Sequence, residues 1–423
     1  APIKPRMSVC SVYASAIAEQ AFVRHNHNLL MSGIASRHNS FTENHPNLRL
    51  VFGNGCVEQV GDLAREYGAT KVLLVTDPGI VAAGHAALVS EYLEKAGVEV
   101  SIFGNSKENP TTVCVDECAA VAKSESIDFI IGLGGGSSMD TAKGCNFIVT
   151  NGREMKDYWG IGKASQPMLP SIMIPTTAGT GSECQSFALI ADNITHQKMA
   201  CGDPKAMAKA TLLDPELTLS QPQRVTACTG IDAIAHAVET AVTRKRNETS
   251  MKYSREAFRL LVSSFCRVMD EPNDVDARGE MLLGAAYAGT AIEQSMLGAA
   301  HSAANPLTAH YDVIHGQSVG IMLPHVVRYN GEMEAIADIY NDLIELTDME
   351  SPDRGSKPDL LASFLEQLLK ISGLSCSLLS LGVEESKLGL LSEEAASQWT
   401  ASFNPRDISS ADFIGLYQKA LVD

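Results

Sequence analysis

The sequence predicts a chain in two parts, an α/β half built on a parallel sheet followed by an all-helical half. Three observations carry this. Short apolar runs ending in turn residues recur at 48–55, 71–79, 98–104 and 128–136, with helical stretches between them. These runs are continuously apolar rather than alternating, as strands covered on both faces of a parallel sheet must be. After Gln221 helical periodicity takes over, and no convincing strand follows.

Residues 1–47 precede the regular pattern and form an N-terminal extension. Lys4, Arg6, Arg24 and Arg37 face one acid, Glu19, before Phe41, a bias mildly like an organelle transit peptide. Ser11 to Val23 also reads as a short helix packed on the body. The α/β domain is expected over 48–219, with helices at Val57–Tyr67, Ile80–Ala96 and Thr111–Lys123 and further strands at 171–183 and 210–215. The helical domain is expected over 220–423. Its periodic segments are Val225–Thr243, Ser250–Met269, Arg278–Ser295, Gln317–Tyr329, Glu334–Thr347 and Leu360–Ile371.

At 423 residues the chain can bury two cores, and 45% apolar with 20% charged residues is a globular composition. A formal charge of −17 without a basic block argues against nucleic acid and anionic membranes as partners. No apolar run is long enough to span a bilayer. Ten cysteines without a CxxC pair suit a reducing compartment, hence a cytoplasmic protein, with organellar targeting by the first segment left open.

Gly134, Gly135, Gly136 and Ser137 follow an apolar strand and open a helix from Ser138. Consecutive glycines let backbone amides approach a pyrophosphate, and the helix N-terminus adds its dipole; a plain tight turn is the other reading. The segment is not the GxGxxG fingerprint. Asp77 ends the strand 71–77, where a carboxylate can accept from ribose hydroxyls and repel a 2′-phosphate, or simply cap the turn before Pro78.

The stretch 297–315 holds His301, His310 and His315, three of the eleven histidines. Upstream, Asp232 and His236 are four apart, which on a helix stacks them on one face. Taken singly, each histidine is more often a core or capping residue than a ligand. Together, imidazoles and a carboxylate suit Fe(II) or Zn(II) and suit Ca²⁺ or Mg²⁺ poorly.

The joint pattern resembles the iron-containing alcohol dehydrogenase family. GGGSSMD (134–140) looks like that family's GGGSxxD loop, PTTAGTGSE (175–183) like its PTTAGT-x-SE segment, and HGQSVGIMLPHVVRYN (315–330) like its later sequence. The spacing of fourteen between His301 and His315 is the family's spacing between its last two metal ligands. The resemblance implies a dehydroquinate synthase-like fold and a metal bound by Asp232, His236, His301 and His315, with iron ahead of zinc. It implies NAD, and NADP less readily, held by Asp77, Asn109, Gly135, Gly136, Ser137, Asp140, Thr176, Thr177, Thr180 and Lys198. It also implies a small alcohol or aldehyde substrate and a homodimer or larger homo-oligomer.

One position departs from the family. Many members carry a titrating histidine four residues after the third ligand, where this chain has Asn305. Asparagine cannot accept a proton, so Asn305 and His310 are the catalytic positions in question, with His310 expected in a turn before the last ligand. Two other functions fit parts of the pattern: a lyase related to dehydroquinate synthase, and a nucleotide- and metal-binding protein without activity. Sparse Lys and Arg around the metal motifs count against the first, and the four retained ligand positions against the second.

Overall fold

The computed structural model describes residues 40–45, 47–195, 197–347 and 357–422. The transit-peptide and short-helix readings of the first segment lie outside them.

The first half is built on one seven-stranded sheet. Its strands are β1 (Phe41–Asn44), β2 (Arg49–Phe52), β3 (Lys71–Val75), β4 (Glu99–Phe103), β5 (Phe129–Gly134), β7 (Ser171–Pro175) and β10 (Ala210–Leu213), in the order β1-β2-β10-β7-β5-β3-β4. All neighbours pair parallel except β1, which runs antiparallel to β2. The sheet therefore starts inside the segment set apart as an N-terminal extension. Strand β5 is buried at every position, as its unbroken apolar run FIIGLG requires.

The crossovers α1 (Val60–Glu66), α2 (Pro78–Ala82), α3 (His85–Lys95), α4 (Thr112–Ser124) and α5 (Gly136–Asn151) join these strands. The helix expected over 80–96 is broken between α2 and α3 by Gly84, whose φ of 85° no ordinary helix accepts. Chain order takes β4 to one side of β3 and β5 to the other. The switch point, where open α/β sheets bind ligands beyond the strand C-termini, thus lies between β3 and β5.

A second sheet was not expected. Strands β6 (Gly160–Ile161), β8 (Phe187–Ala191) and β9 (Lys198–Gly202) form it in the order β6-β9-β8. β9 reads KMACG, with no β-branched or aromatic residue to mark it as a strand.

The second half is helical: α6 (Gln223–Thr240), α7 (Glu248–Asp270), α8 (Val275–Ser295), α9 (Ala299–Tyr311), α10 (His315–Asn330), α11 (Glu334–Ile344), α12 (Lys357–Ile371), α13 (Leu388–Ser397) and α14 (Ser410–Ala420). The 297–315 stretch is mostly the helix α9, so His310 lies in its last turn and not in the expected loop. Pro306 inside α9 removes one backbone donor, yet burial on both sides holds the helix. The halves meet where Gly181, at the end of the threonine segment, presses on α8; a Cβ there would stand 2.5 Å from Gly289 Cα. No described helix is long and apolar enough to cross a membrane.

Candidate active site

Asp232 and His236 lie one turn apart in the middle of α6, His301 in the first turn of α9, and His315 at the first position of α10. Gly316 sets the closeness of α10 to α6. A Cβ at that position would lie 2.0 Å from the Cys228 carbonyl oxygen, so only glycine allows His315 to reach Asp232. Asp232 Oδ1 stands 3.5 Å from His236 Nε2, 3.4 Å from His301 Nε2 and 3.9 Å from His315 Nε2. Ligand atoms of Asp232, His236 and His301 all lie within 4.8 Å of one another. Their side chains are buried, whereas that of His315 is 28% exposed at the opening. Asp232 Oδ1 and His301 Nε2 are buried without any hydrogen-bond partner. Two such atoms facing each other are costly unless something bridges them, and a divalent cation does so.

The electrostatics agree. Burial would raise the Asp232 pKa, but the three imidazoles outweigh it and hold the carboxyl well below the usual range. Burial lowers His236 to about 4 and His315 to about 3, against the opposing pull of Asp232. Burial acts downward on His301 too, yet Glu239 and Asp232 raise it to about 9.

Glu239 was not anticipated. It is buried on α6, one turn beyond His236, and accepts from His301 Nδ1 at 2.5 Å and from the Ala300 amide at 2.7 Å. The signal was in the sequence, since Asp232, His236 and Glu239 at spacings of four and three share one helix face.

The residues expected to hold a nucleotide lie largely at the C-terminal edge of β3, β5 and β7. Gly134, with φ of 140°, packs so closely that a Cβ would fall 2.8 Å from Ser138 Oγ; a Cβ on Gly136 would meet Thr180 at 2.7 Å. The glycine loop and the threonine segment therefore touch, with Thr177 and Thr180 partly exposed beside Gly135 and Thr176 buried. This leaves the first amides of α5 at the edge of a cleft, the geometry that receives a phosphate.

Asp77 lies at that edge. Its Oδ1 caps α2 through the Gly79 and Ile80 amides, and its Oδ2 accepts from Ser138 Oγ at 3.1 Å. Asp140 accepts from Ser182 Oγ at 2.7 Å and lies 4.0 Å from the buried Lys143, which ties α5 to the threonine segment. Asn109 is an exposed left-handed residue before Pro110, beyond the end of β4. Lys198, at the start of β9, is solvent-accessible, yet the surrounding cleft lowers its pKa by desolvation while Asp140 and Asp232 oppose the shift. It thus stands within electrostatic reach of both Asp140 and Asp232.

The remaining two positions separate. Asn305, one turn beyond His301, donates through Nδ2 to Gln398 Oε1 at 3.1 Å, a partner that nothing in the sequence marked. His310 pairs with Glu394 at 2.8 Å, with 38% of its side chain exposed. Nine residues from His301 is about 13 Å along α9 and half a turn around it, so His310 faces away from the cluster.

A family model described as iron-containing alcohol dehydrogenase matches residues 46–215, and its C-terminal counterpart matches 226–421. The chain belongs to the iron-containing alcohol dehydrogenase family. It is 31% identical over 373 residues to the NAD-dependent methanol dehydrogenase of Bacillus methanolicus, covering 88% of this chain and 97% of that one. The 1,3-propanediol dehydrogenase of Klebsiella pneumoniae is 31% identical over 380 residues, with 89% and 97% covered. A solved 1,3-propanediol oxidoreductase superposes with a TM-score of 0.85 at 28% identity, covering 91% of this chain and all of that one. The protein is thus an oxidoreductase of the alcohol dehydrogenase and aldehyde reductase class. Neither the lyase reading nor the non-catalytic one draws support from these relatives.

Proposed function

We propose that Asp232, His236, His301 and His315 hold one divalent ion, Fe(II) ahead of Zn(II), beside an NAD lying across the β3–β5–β7 edge. The substrate in this reading is a small alcohol or the matching aldehyde. The observation that carries it is the convergence of Asp232, His236 and His301, with His315 Nε2 3.9 Å from Asp232 Oδ1, on donor atoms of which two are buried and unpartnered. When bound, the ion supplies a Lewis acid for an alcohol or carbonyl oxygen and NAD supplies the hydride acceptor.

The chain's own residues make that chemistry feasible. Glu239 fixes the His301 proton on Nδ1 and leaves Nε2 as a ligand atom. His236 and His315 are neutral at working pH, as ligation requires. Gly135, Gly136 and Ser137 offer backbone to the pyrophosphate, Thr176, Thr177 and Thr180 offer hydroxyls without charge, and Asp140 and Lys198 border the nicotinamide end. Asn109 lies towards adenosine. Asp77 favours NAD over NADP through repulsion of a 2′-phosphate. Asn305, anchored by Gln398, orients a neighbour but carries no proton, so the proton released from an alcohol passes to solvent. His310 has no part in that transfer.

Relatives named for methanol, 1,3-propanediol and choline (the last from Bacillus subtilis) support small alcohols as a class. A cytoplasmic homodimer or larger assembly completes the reading. None of the nine described cysteines forms a disulfide, which suits a reducing compartment. The decisive experiment is metal analysis of anaerobically purified protein joined to a panel of short alcohols and aldehydes with NAD(H). Stoichiometric iron and NADH formation are expected. Protein that retains no metal, or metal-loaded protein inactive on every pair, would overturn the proposal.

A further inference from the structure

The small sheet has two faces of different fate. Ala188, Ile190, Met199 and Cys201 turn into the main core. On the other face stand Phe187, Leu189 and Ala200, packed with Met296 and Phe403 into a separate apolar cluster. The register pairs Phe187 with Gly202, Leu189 with Ala200 and Ala191 with Lys198, so this second face carries Lys198 at one end and Phe187 at the other. Strand rise puts Ala200 roughly 7 Å and Phe187 roughly 14 Å from the Lys198 end. That end lies within electrostatic reach of Asp232 and His315. Glycine is required opposite Phe187: a Cβ on Gly202 would strike the ring at 2.3 Å, so the ring lies across the strand.

Trp399 closes the far end. Its ring centroid is 5.8 Å from that of Phe187 and 5.4 Å from that of Phe403, yet the residue is 39% exposed. Its neighbours in the chain tie it to the metal helix. Gln398 accepts from Asn305, and Thr400 Oγ1 shares a hydrogen bond with Ser302 Oγ at 2.7 Å. Asn305 is four residues beyond His301, on the same face of α9 and roughly 6 Å further along it. Trp399 is therefore held against the face that presents a metal ligand. Five residues before His301, Met296 has φ 65° and ψ −176°, a region that suits glycine and strains any residue with a Cβ. Its side chain is buried in the same apolar cluster.

We propose that this wall receives the tail of the substrate and that Trp399 sets the preference for it. The substrate class is then a primary alcohol or aldehyde carrying an aromatic ring or a medium-length alkyl chain. The inference rests on the alcohol dehydrogenase reading of the metal cluster for its chemistry. The cluster's five side chains carry no N–H or O–H, so a second hydroxyl on the substrate would lose water there and gain no partner. Each methylene or ring edge laid on the wall leaves water and gains by it.

The test uses the full-length, metal-loaded enzyme with NAD, and kcat/KM is measured from ethanol through hexan-1-ol and for benzyl alcohol. It should climb about two- to fourfold per methylene, with benzyl alcohol about tenfold or more above ethanol. Trp399→Ala should cut the ratio of hexan-1-ol to ethanol about fivefold or more, mostly through KM, and Trp399→Phe should restore most of it. The chain has two tryptophans, so Trp159→Phe leaves Trp399 as the sole indole. Its emission should move to the blue, saturably, with hexan-1-ol and not with ethanol. Preference that does not climb with chain length, or a ratio unchanged in Trp399→Ala, would overturn the proposal. If no alcohol is turned over, the dehydrogenase reading has failed and the emission titration decides alone: a saturable shift upholds the apolar site, and none removes it. A shift that follows protein concentration in place of alcohol marks a contact between copies and overturns the proposal as well.

Discussion

Replacing Glu239 by glutamine removes a charge while keeping nearly the same shape, and the structure shows why so small a change matters. The carboxylate serves two donors at once, the Ala300 amide at 2.7 Å and His301 Nδ1 at 2.5 Å. Glutamine has one acceptor oxygen. If that oxygen stays on Ala300, the amide nitrogen faces Nδ1, which can then only accept, and the His301 proton moves to Nε2. Nε2 is the atom 3.4 Å from Asp232 Oδ1, the one required for ligation. If the oxygen turns to Nδ1 instead, the NH₂ meets the Ala300 N–H and a buried donor loses its partner.

Either arrangement costs about 1–3 kcal/mol, the range for a buried unmet donor, and loss of such an outer partner costs roughly 10–100-fold in metal affinity or activity. Glu239→Gln should therefore fold, since its shape is nearly kept, but should hold iron roughly 10–100-fold more weakly in chelator competition. Turnover at saturating metal should recover much of the loss. An unchanged metal affinity would refute the tautomer argument, and so would an equal loss in Glu239→Asp and Glu239→Gln.

Other outcomes follow from the same geometry. In metal-free protein, the His301 pKa is raised to about 9 from an unfolded value near 6.5, so its stabilisation is present below pH 6.5 and fades as pH climbs through 9. His236 and His315, lowered to about 4 and 3, act oppositely, and stability falls as pH drops below 6.5 towards those values. Calorimetry of apoprotein should thus show a narrow stability optimum near pH 6.5, which metal broadens; a flat alkaline side without metal would contradict this. Asp77→Asn keeps an equally good helix cap, so it should leave melting nearly unchanged while shifting the NADP/NAD ratio of kcat/KM upward. An unchanged ratio would reduce Asp77 to a cap. Alcohol oxidation should rise towards alkaline pH without a limb near neutrality, His310→Ala should leave that profile intact, and Asn305→His should add activity on the neutral side. A neutral limb that vanishes in His310→Ala would mean that the proton travels by way of the Glu394 pair after all.

Much of this architecture is legible in the sequence, and the reason is physical. Parallel strands buried on both faces read as near-continuous apolar runs, so β3, β5 and β7 announce themselves, and the shared helix face of Asp232 and His236 on α6 follows from helix periodicity alone. The small sheet stayed hidden because its strands draw on tertiary context: KMACG becomes β9 by pairing with β8, not by its own preference. Lys198 belongs to that hidden strand, which is why its approach to both Asp140 and Asp232 could not be read from its neighbours in the chain. Glu239 and Gln398 mark the two ends of what sequence can reveal. Glu239 shares a helix face with Asp232 and His236, so spacing alone could have nominated it. Gln398 meets Asn305 across 93 residues of chain, and no local pattern encodes that meeting.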